Sequence, residues 1–162
     1  MAAEKDIQGE TLRVMTASDL EAVASLARRA DPFGWTLRNF QDALASGYPM
    51  TVLEVGGVIA GYCVVMIVID EAELLEIAVD PPMQGAGRGK TLLAAALAAA
   101  REGAARLMHL EVRESNARAR KMYNSAGFSE VGRRRGYYPT AEGREDAILM
   151  TKDLQALPAQ QD

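Results

Sequence analysis

Two amphipathic helices are predicted near the start of the chain from the spacing of its hydrophobic residues. Ser18-Asp19-Leu20-Glu21 fits a capping box, a start signal of helices. Apolar residues then recur at positions i, i+3, i+4 and i+7, namely Leu20, Val23, Ala24 and Ala27. We expect this helix to run to about Ala30, because Asp31-Pro32 stops it. A second helix is expected to end near Gly47, with three residues on its apolar face: Leu37, Phe40 and Leu44.

Three strands are predicted in succession after these helices. They run from Met50 to Val55, from Val58 to Ile69 and from Glu73 to Val79. Gly56-Gly57 joins the first two, and such a dipeptide is typical of a two-residue hairpin turn. The pattern therefore predicts an antiparallel meander, which Pro81-Pro82 closes.

The second half of the chain alternates between helices and strands. A glycine-rich turn leads into an Ala- and Leu-rich helix from Lys90 to about Glu102, which Gly103 is expected to cap. The next strand, Leu107 to Arg113, alternates strictly, so Met108, Leu110 and Val112 share one side. A helix is expected to begin near Ser115-Asn116 and to end at Gly127. Two last strands are predicted at about Phe128 to Arg133 and Ala147 to Lys152.

This order of elements, αα, βββ, α, β, α, ββ, predicts an α/β (α+β) fold with a mixed sheet and helices on both faces. A chain of 162 residues is the size of one domain, which we expect to cover residues 1–154. Residues 155–162 are predicted to form a polar tail.

Charge and composition exclude several classes of protein. The net charge of −4 disfavours a surface that binds nucleic acid directly. With one cysteine, Cys63, and one histidine, His109, the chain has neither an internal disulfide nor the ligands of a Cys/His zinc site, so we expect no metal. The first eleven residues hold no apolar run, so we predict no signal peptide. The longest apolar stretch, Val58 to Ile69, is too short to span a membrane, and a cytoplasmic location is expected.

The glycine-rich turn has the chemistry of a phosphate site. Between a strand and a helix, the glycines of Gln84-Gly85-Ala86-Gly87-Arg88-Gly89-Lys90 let the backbone approach a ligand, and the first amides of the helix point outward. A flexible connection is the alternative interpretation. Gly89-Lys90-Thr91 resembles the end of a P-loop, but the glycine required five residues earlier is Gln84, which disfavours a nucleoside triphosphate enzyme.

Several segments together resemble one enzyme family. Gln84, Gly87 and Gly89 match Gln-x-x-Gly-x-Gly, which is similar to the pyrophosphate-binding motif of the GNAT N-acetyltransferases. Three further segments resemble the RimI type of this family, bacterial enzymes that acetylate the N-terminal alanine of a small-subunit ribosomal protein. They are Ile77 to Pro81, Leu110 to Asn116, and Arg134 to Pro139 through Gly143 to Ala147. The resemblance covers about Thr11 to Lys152. It implies the GNAT fold, with about seven strands and about four helices, and acetyl-CoA as co-substrate.

The resemblance also implies roles for individual residues. Glu111 takes the position of the general base and Tyr123 that of the general acid. Backbone groups of the strand would contact the pantetheine arm, the glycine-rich turn would hold the pyrophosphate, and one helix-capping residue would contact the cofactor. These implied cofactor-binding residues are Ile77, Ala78, Val79, Gly85, Ala86, Gly87, Arg88, Gly89, Lys90 and Asn116.

Two carboxylates compete for the role of base. Glu111 lies on the side of its strand opposite the apolar residues, where the alternative interpretation is a solvated side chain. Glu76 is the second candidate, ranked below Glu111: the resemblance implies it, because many acetyltransferases of this kind carry an acid on that strand, and its alternation with Leu75 and Ile77 turns it away from the core. Tyr123 lies on the apolar face of its helix, where a tyrosine is more often part of the core.

A protein N-terminus is the favoured acceptor. At pH 7 an α-amine of pKa about 7.8 is roughly one-tenth neutral, whereas a lysine amine of pKa about 10.4 is almost wholly charged. The acidic cluster Asp70, Glu71, Glu73 and Glu76 favours a basic N-terminal peptide, although a solvated strand edge is the alternative interpretation. Asp31 to Thr36, around Trp35, is a looser version of the family's Phe-Pro-Trp-Ser region, which affects the acceptor range. A lysine or small-molecule amine acetyltransferase and a non-catalytic acyl-CoA-binding module stay open, as does the oligomeric state.

Overall fold

The structure is a computed structural model that describes residues 4–5 and 9–155. The chain divides into two compact units. The first contains the residues up to 66 together with 74–99, and the second contains 67–73 and the residues from 100 onward. The expected single domain over residues 1–154 stays a prediction. Most of the predicted tail, residues 156–162, lies outside the described part of the chain.

The described residues form eight strands and four α-helices. In chain order they are β1 (Glu4–Lys5), β2 (Glu10–Val14), α1 (Leu20–Ala30), α2 (Leu37–Ala45), β3 (Met50–Val55), β4 (Val58–Val68), β5 (Glu71–Val79), α3 (Arg88–Glu102), β6 (Leu107–Arg113), α4 (Ala117–Ser125), β7 (Ser129–Thr140) and β8 (Gly143–Asp153). Two short 3-10 helices, Ala17–Asp19 and Pro81–Met83, precede α1 and follow β5. The α/β class and the four helices are as expected.

The sheet is mixed. In the first unit β1, β2, β3 and β4 follow one another, and the later residues of β5 lie next to β4. In the second unit the first residues of β5 pair in parallel with β6, β8 pairs antiparallel with β6, and β7 pairs antiparallel with β8 at the edge. The β5–β6 register joins Glu71 to Leu107 and Glu73 to His109. The predicted mixed sheet is confirmed.

A core cluster of the first unit lies between α1, α2 and the strands. Phe40 of α2 is fully buried and meets Trp35 and Tyr62 edge-on, with ring centroids 5.0 and 5.2 Å apart. Helix α1 buries the face that its periodicity predicts, including Val23 and Ala27. Because buried aromatic rings contribute large apolar areas, this cluster anchors α2 on the sheet.

In the second unit, β6 follows its predicted alternation and bounds. Met108, Leu110 and Val112 are buried, and His109, Glu111 and Arg113 are only partly covered. Helix α4 begins after Asn116, whose side chain accepts a hydrogen bond from the Ala119 amide, and Gly127 ends it with φ +98°. Both ends of α4 are as expected.

The start of the chain differs from the prediction, which placed no strand before the first helix. Strand β2 pairs along its whole length with β3. Its sequence, Glu-Thr-Leu-Arg-Val, is short and polar, so its alternation was too weak to predict a strand. Tertiary pairing decides it, because the partner strand β3 lies about forty residues further along the chain, and buried Glu10 also forms an ion pair with Arg88.

Two predicted helix signals are wrong in detail. The box at the first helix is formed earlier than predicted, by Thr16 and Asp19: the Thr16 amide donates to Asp19 Oδ2 at 2.8 Å. The left-handed residue after α3 is Ala104, with φ +62°, and not Gly103. At Gly103 a Cβ atom would collide with Ile67, so this glycine serves close packing rather than capping.

The remaining differences lie at strand ends. Strand β5 starts at Glu71, two residues before its predicted start, and Ile69 is a turn residue with φ +59° rather than part of β4. The final hairpin is much longer than expected, since β7 continues to Thr140 and β8 begins at Gly143. The charged and tyrosine-rich segment between the two predicted strands is therefore itself strand.

Candidate active site

The predicted site residues fall into two groups, one in each unit. The first unit contains Ile77, Ala78 and Val79 at the end of β5 and the turn from Gly85 to Lys90. The second contains Glu111 on β6, Asn116 at the start of α4, and Tyr123 on α4.

The glycine-rich turn has the backbone geometry of an anion site. Gly85 and Gly87 have φ of +93° and +79°, in the region that favours glycine. A Cβ atom at Gly87 would meet nothing within 4 Å, so space is open there. Helix α3 starts immediately afterwards, and the first amides of a helix lack partners within it. Backbone donors and a positive helix terminus therefore meet at this turn.

Two polar side chains hold this turn in place. Gln84 Nε2 donates to the Val79 carbonyl at 3.0 Å and so ties the turn to the end of β5. Arg88 Nη1 donates to the Met83 carbonyl at 2.9 Å, and its Nε contacts Glu10 Oε2 at 3.1 Å. The Arg88 guanidinium thus supports the turn, and its backbone amide is the group suited to a ligand.

The end of β5 packs tightly against Gly61 of β4. A Cβ atom at Gly61 would lie 2.7 Å from the Ala78 carbonyl oxygen and 2.7 Å from Leu92. Only glycine allows this approach, so Gly61 fixes the position of the strand that is expected to contact the pantetheine arm. The sequence pattern gave it no role, because a glycine inside a strand has several explanations.

Glu76 is a partly buried carboxylate with one close partner. The hydroxyl of fully buried Tyr62 donates to Glu76 Oε1 at 2.9 Å. Burial raises the pKa of Glu76 to about 7, and the negative charge of Asp31 acts in the same direction. Near pH 7 this carboxyl can both take and give a proton, a property of catalytic acids and bases.

Glu111 lies among charged and aromatic side chains of the second unit. Arg134 Nε contacts Glu111 Oε1 at 2.8 Å, and the Glu111 charge raises the pKa of the nearby Tyr137 phenol. Glu73, on the neighbouring strand, has a raised pKa because of its burial and then of the Glu111 charge. Glu111 therefore belongs to an electrostatic cluster and is not an isolated solvated carboxylate.

Tyr123 is buried, with 5% of its surface exposed, and its ring meets Phe128 edge-on at 5.8 Å. The Phe128 amide donates to the Tyr123 carbonyl, which fixes the end of α4. Both the expected apolar environment and the position on α4 are observed. Such packing restricts the ring to few orientations.

The single cysteine and the single histidine, Cys63 and His109, are both held by structural contacts. Cys63 is buried, and burial raises the pKa of its thiol to about 12, so a thiolate is unfavourable there. His109 lies between Glu71, at 2.7 Å from Nε2, and Thr151, at 2.8 Å from Nδ1. Within the described residues, no three His, Cys, Asp or Glu side chains are arranged to hold a metal ion.

Three residues around the two carboxylates have no predicted role: Tyr62, Arg134 and Tyr137. Arg134 and Tyr137 lie in a segment that resembles the family, and Tyr62 lies inside a predicted strand. Their partners are distant in sequence, so no local pattern identifies them. Among the described helices, none has the length and hydrophobicity needed to cross a membrane.

Comparisons with known proteins agree with this geometry. The model of the acetyltransferase (GNAT) family matches residues 17–128. The ribosomal protein bS18-alanine N-acetyltransferase of Escherichia coli K12 is 39% identical over 140 residues, which cover 86% of this chain and 95% of that protein. Its counterpart in Haemophilus influenzae is 36% identical over 135 residues, covering 83% and 92%.

Solved structures show the same fold. The crystal structure of the E. coli ribosomal-protein-S18-alanine N-acetyltransferase has a TM-score of 0.85 at 35% identity, covering 94% of this chain and 99% of that one. The acetyltransferase yncA of Salmonella typhimurium, solved with acetyl-CoA, has a TM-score of 0.77 at 23% identity, covering 94% and 98%, and shows the fold alone. The chain therefore belongs to the acetyltransferase (GNAT) family.

Proposed function

We propose that this enzyme acetylates the α-amine of the N-terminal alanine of ribosomal protein bS18. The observation that carries the proposal is the 39% identity to an enzyme named for that reaction, over 95% of that enzyme's length. We also propose that the enzyme is cytoplasmic and that its acceptor is a basic N-terminal peptide.

Acetyl-CoA is the acetyl donor of this family, and the residues present fit it. When bound, it supplies a thioester whose acyl carbon an amine can attack. The turn from Gly85 to Lys90 would hold the pyrophosphate through its amides, and Ile77 to Val79 would present backbone groups to the pantetheine arm. Asn116 would add a further contact. The open space at Gly87 and the first turn of α3 support this assignment.

Glu111 is proposed as the general base for direct transfer in a ternary complex. A carboxylate can accept the proton that the amine loses as it becomes acetylated. The contact with Arg134 uses Oε1 of Glu111, so the second carboxylate oxygen is the atom proposed to accept the proton. An ion pair also fixes the orientation of the side chain, which supports a role that depends on position.

Tyr123 is proposed as the general acid. Its phenol would donate the proton that the leaving sulfur requires, without any covalent enzyme intermediate. The buried position of its ring supports this role, because a fixed hydroxyl loses little freedom when it reacts.

Glu76 is the alternative base, and the pH dependence distinguishes it from Glu111. If Glu76 were the base, kcat/KM would rise through a pKa of about 7, and Glu76→Gln would remove that rise. With Glu111 as base, Glu111→Gln reduces turnover by about 10² or more, most strongly at low pH where the amine is protonated. The measurement is kcat/KM from pH 5 to 9 for both variants. Greater damage from Glu76→Gln would reverse the assignment.

A panel of acceptors tests the reaction itself. Thiol release is measured with acetyl-CoA and an Ala-initiated bS18 peptide, the same peptide blocked at its N-terminus, and free amines. We expect release with the free N-terminus and none with the blocked peptide, in which a lysine is included so that a side-chain amine stays available. Release with the blocked peptide or with free amines alone would favour a lysine or small-molecule acetyltransferase. Binding of acetyl-CoA without any release would indicate a non-catalytic module.

A further inference from the structure

The hairpin of β7 and β8 contains a wide bulge. A single residue of β8, Asp146, lies opposite residues 135–137 of β7. Gly136, in the middle of the bulge, has φ +56°, a left-handed conformation that favours glycine. A bulge of this kind changes the direction of the side chains that it carries.

Two charged side chains of β8 hold the backbone of the bulge. Asp146 Oδ1 accepts from the Gly136 amide at 2.8 Å, and its Oδ2 accepts from Arg133 Nη1 at 2.8 Å. Arg144 Nε donates to the Gly136 carbonyl at 2.7 Å. The amide and the carbonyl of Gly136 are thus both held by charged side chains, and hydrogen bonds to charged groups are stronger than neutral ones.

The bulge places Tyr137 and Arg134 beside Glu111. The Arg134 guanidinium joins Tyr137 and Glu111: it lies 5.2 Å from the centre of the Tyr137 ring, and its Nε contacts Glu111 Oε1 at 2.8 Å. The Glu111 charge is the largest cause of a raised pKa of Tyr137. The charged groups that act on the Tyr137 hydroxyl are therefore Glu111 on β6, Arg134 on β7 and Glu73 on β5.

We infer that Asp146 and Arg144 are positioning residues for Glu111: they fix the bulge that sets Tyr137 and Arg134 against its carboxylate. The inference rests on the proposed function, because the orientation of Glu111 affects turnover only if Glu111 takes part in the reaction. Both residues act through the backbone of Gly136. A displacement of a reacting group by about 1 Å can reduce the rate by on the order of 10²-fold, so the bulge has a direct effect on turnover.

Three substitutions test the inference through kinetics. Asp146→Ala removes the acceptor of the Gly136 amide and should lower kcat roughly tenfold or more, with the Kd of acetyl-CoA unchanged. Asp146→Asn keeps an oxygen at the same place and should restore most of the rate. The matched control is Glu114→Gln, because Glu114 Oε2 contacts the same Arg133 Nη1, at 2.6 Å. Since the contacts described for Gly136 come from Asp146 and Arg144 and not from the Glu114 side chain, the control should keep wild-type kcat.

Ionisation of Tyr137 provides a readout that does not depend on activity. Ultraviolet titration of each protein, minus the same protein carrying Tyr137→Phe, isolates this phenol. If Asp146→Ala releases the bulge, Tyr137 moves away from Glu111 and titrates at lower pH, whereas Asp146→Asn and Glu114→Gln leave its titration unchanged.

An unchanged Tyr137 titration in folded Asp146→Ala would overturn the inference, as would an equal loss of kcat in Glu114→Gln. If Asp146→Ala does not fold, Arg144→Gln removes the other contact to Gly136 and must lower the Tyr137 pKa for the inference to stand. Wild-type turnover of Glu111→Gln would instead refute the proposed base. In that case the Tyr137 titration alone decides whether the bulge is held as inferred.

Discussion

Single carboxylates of this protein differ because of their neighbours. Burial raises the pKa of Glu76 to about 7 although the Tyr62 hydroxyl donates to it, whereas Glu111 forms an ion pair with Arg134. The former environment disfavours charge, and the latter holds a charged group in a fixed position. The chemistry available at each position therefore depends on one or two contacts.

Removing the Tyr123 hydroxyl tests the proposed acid. Tyr123→Phe keeps the ring and its contact with Phe128, so the fold should be unaffected. We expect kcat to fall by roughly 10² or more, with little change in the Kd of acetyl-CoA. Steady-state kinetics and a binding titration measure both quantities. Wild-type kcat would exclude Tyr123 from proton transfer.

The raised pKa of Glu76 also affects stability. In the folded state this carboxyl has a pKa of about 7 against an ordinary 4.5, so between these values the folded protein holds the proton more tightly. Its contribution to stability is complete below pH 4.5 and is lost as the pH rises through 7.

Glu76→Gln should therefore stabilise the protein at pH 8 relative to wild type, by on the order of 2 kcal/mol, with a much smaller difference at pH 5. Urea unfolding of both proteins at several pH values measures this. Glu111→Gln serves as a comparison of equal charge change. A difference between wild type and Glu76→Gln that does not vary with pH would show that Glu76 titrates normally.

At the scale of elements, glycines position backbone segments in two ways. Gly85 and Gly87 adopt left-handed conformations at the start of α3, whereas Gly61 and Gly103 have ordinary φ and allow close packing. The side chain that would collide at Gly103 is the end of Ile67, which can shift, but at Gly61 it would meet the Ala78 carbonyl, which is backbone. Gly61 is therefore the more demanding position.

Gly61→Ala should destabilise the protein by about 1–3 kcal/mol and raise the KM of acetyl-CoA, because Ala78 and Val79 would have to move. Gly132→Ala is a suitable control, since its Cβ would meet only the flexible end of Leu149, at 3.3 Å. Urea unfolding and steady-state kinetics measure the two effects. Equal effects of both substitutions would contradict a special role for Gly61.

At the scale of the whole molecule, the acidic cluster from Asp70 to Glu76 was expected to attract a basic peptide. Part of its negative charge is compensated by a basic neighbour. Asp70 forms an ion pair with Arg106 at 2.6 Å, and Glu71 Oε2 lies 3.8 Å from Nη2 of the same arginine. Exposed pairs of this kind contribute little to stability, but they reduce the local negative charge. Attraction of a basic peptide then depends more on the net charge of −4 than on one cluster.

The KM of a basic Ala-initiated peptide should consequently rise with salt. Between about 0.01 M and 1 M the Debye length falls from about 30 Å to about 3 Å, and we expect KM to increase roughly three- to tenfold. A neutral Ala-initiated peptide is the control and should show little change. The same salt dependence for both peptides would refute electrostatic attraction of the acceptor.

The sequence by itself determined the features that are encoded locally. Alternation defined β6, the Gly56-Gly57 pair defined the hairpin of β3 and β4, and short motifs identified the family. These features can be predicted because the periods of strands and helices and the preferences of turns act over a few residues. Tertiary structure alone decided that β2 is a strand, that Glu76 meets Tyr62, and that Glu111 meets Arg134. Those partners are 14 and 23 residues apart, and their contact depends on how strands pair, which no local pattern records.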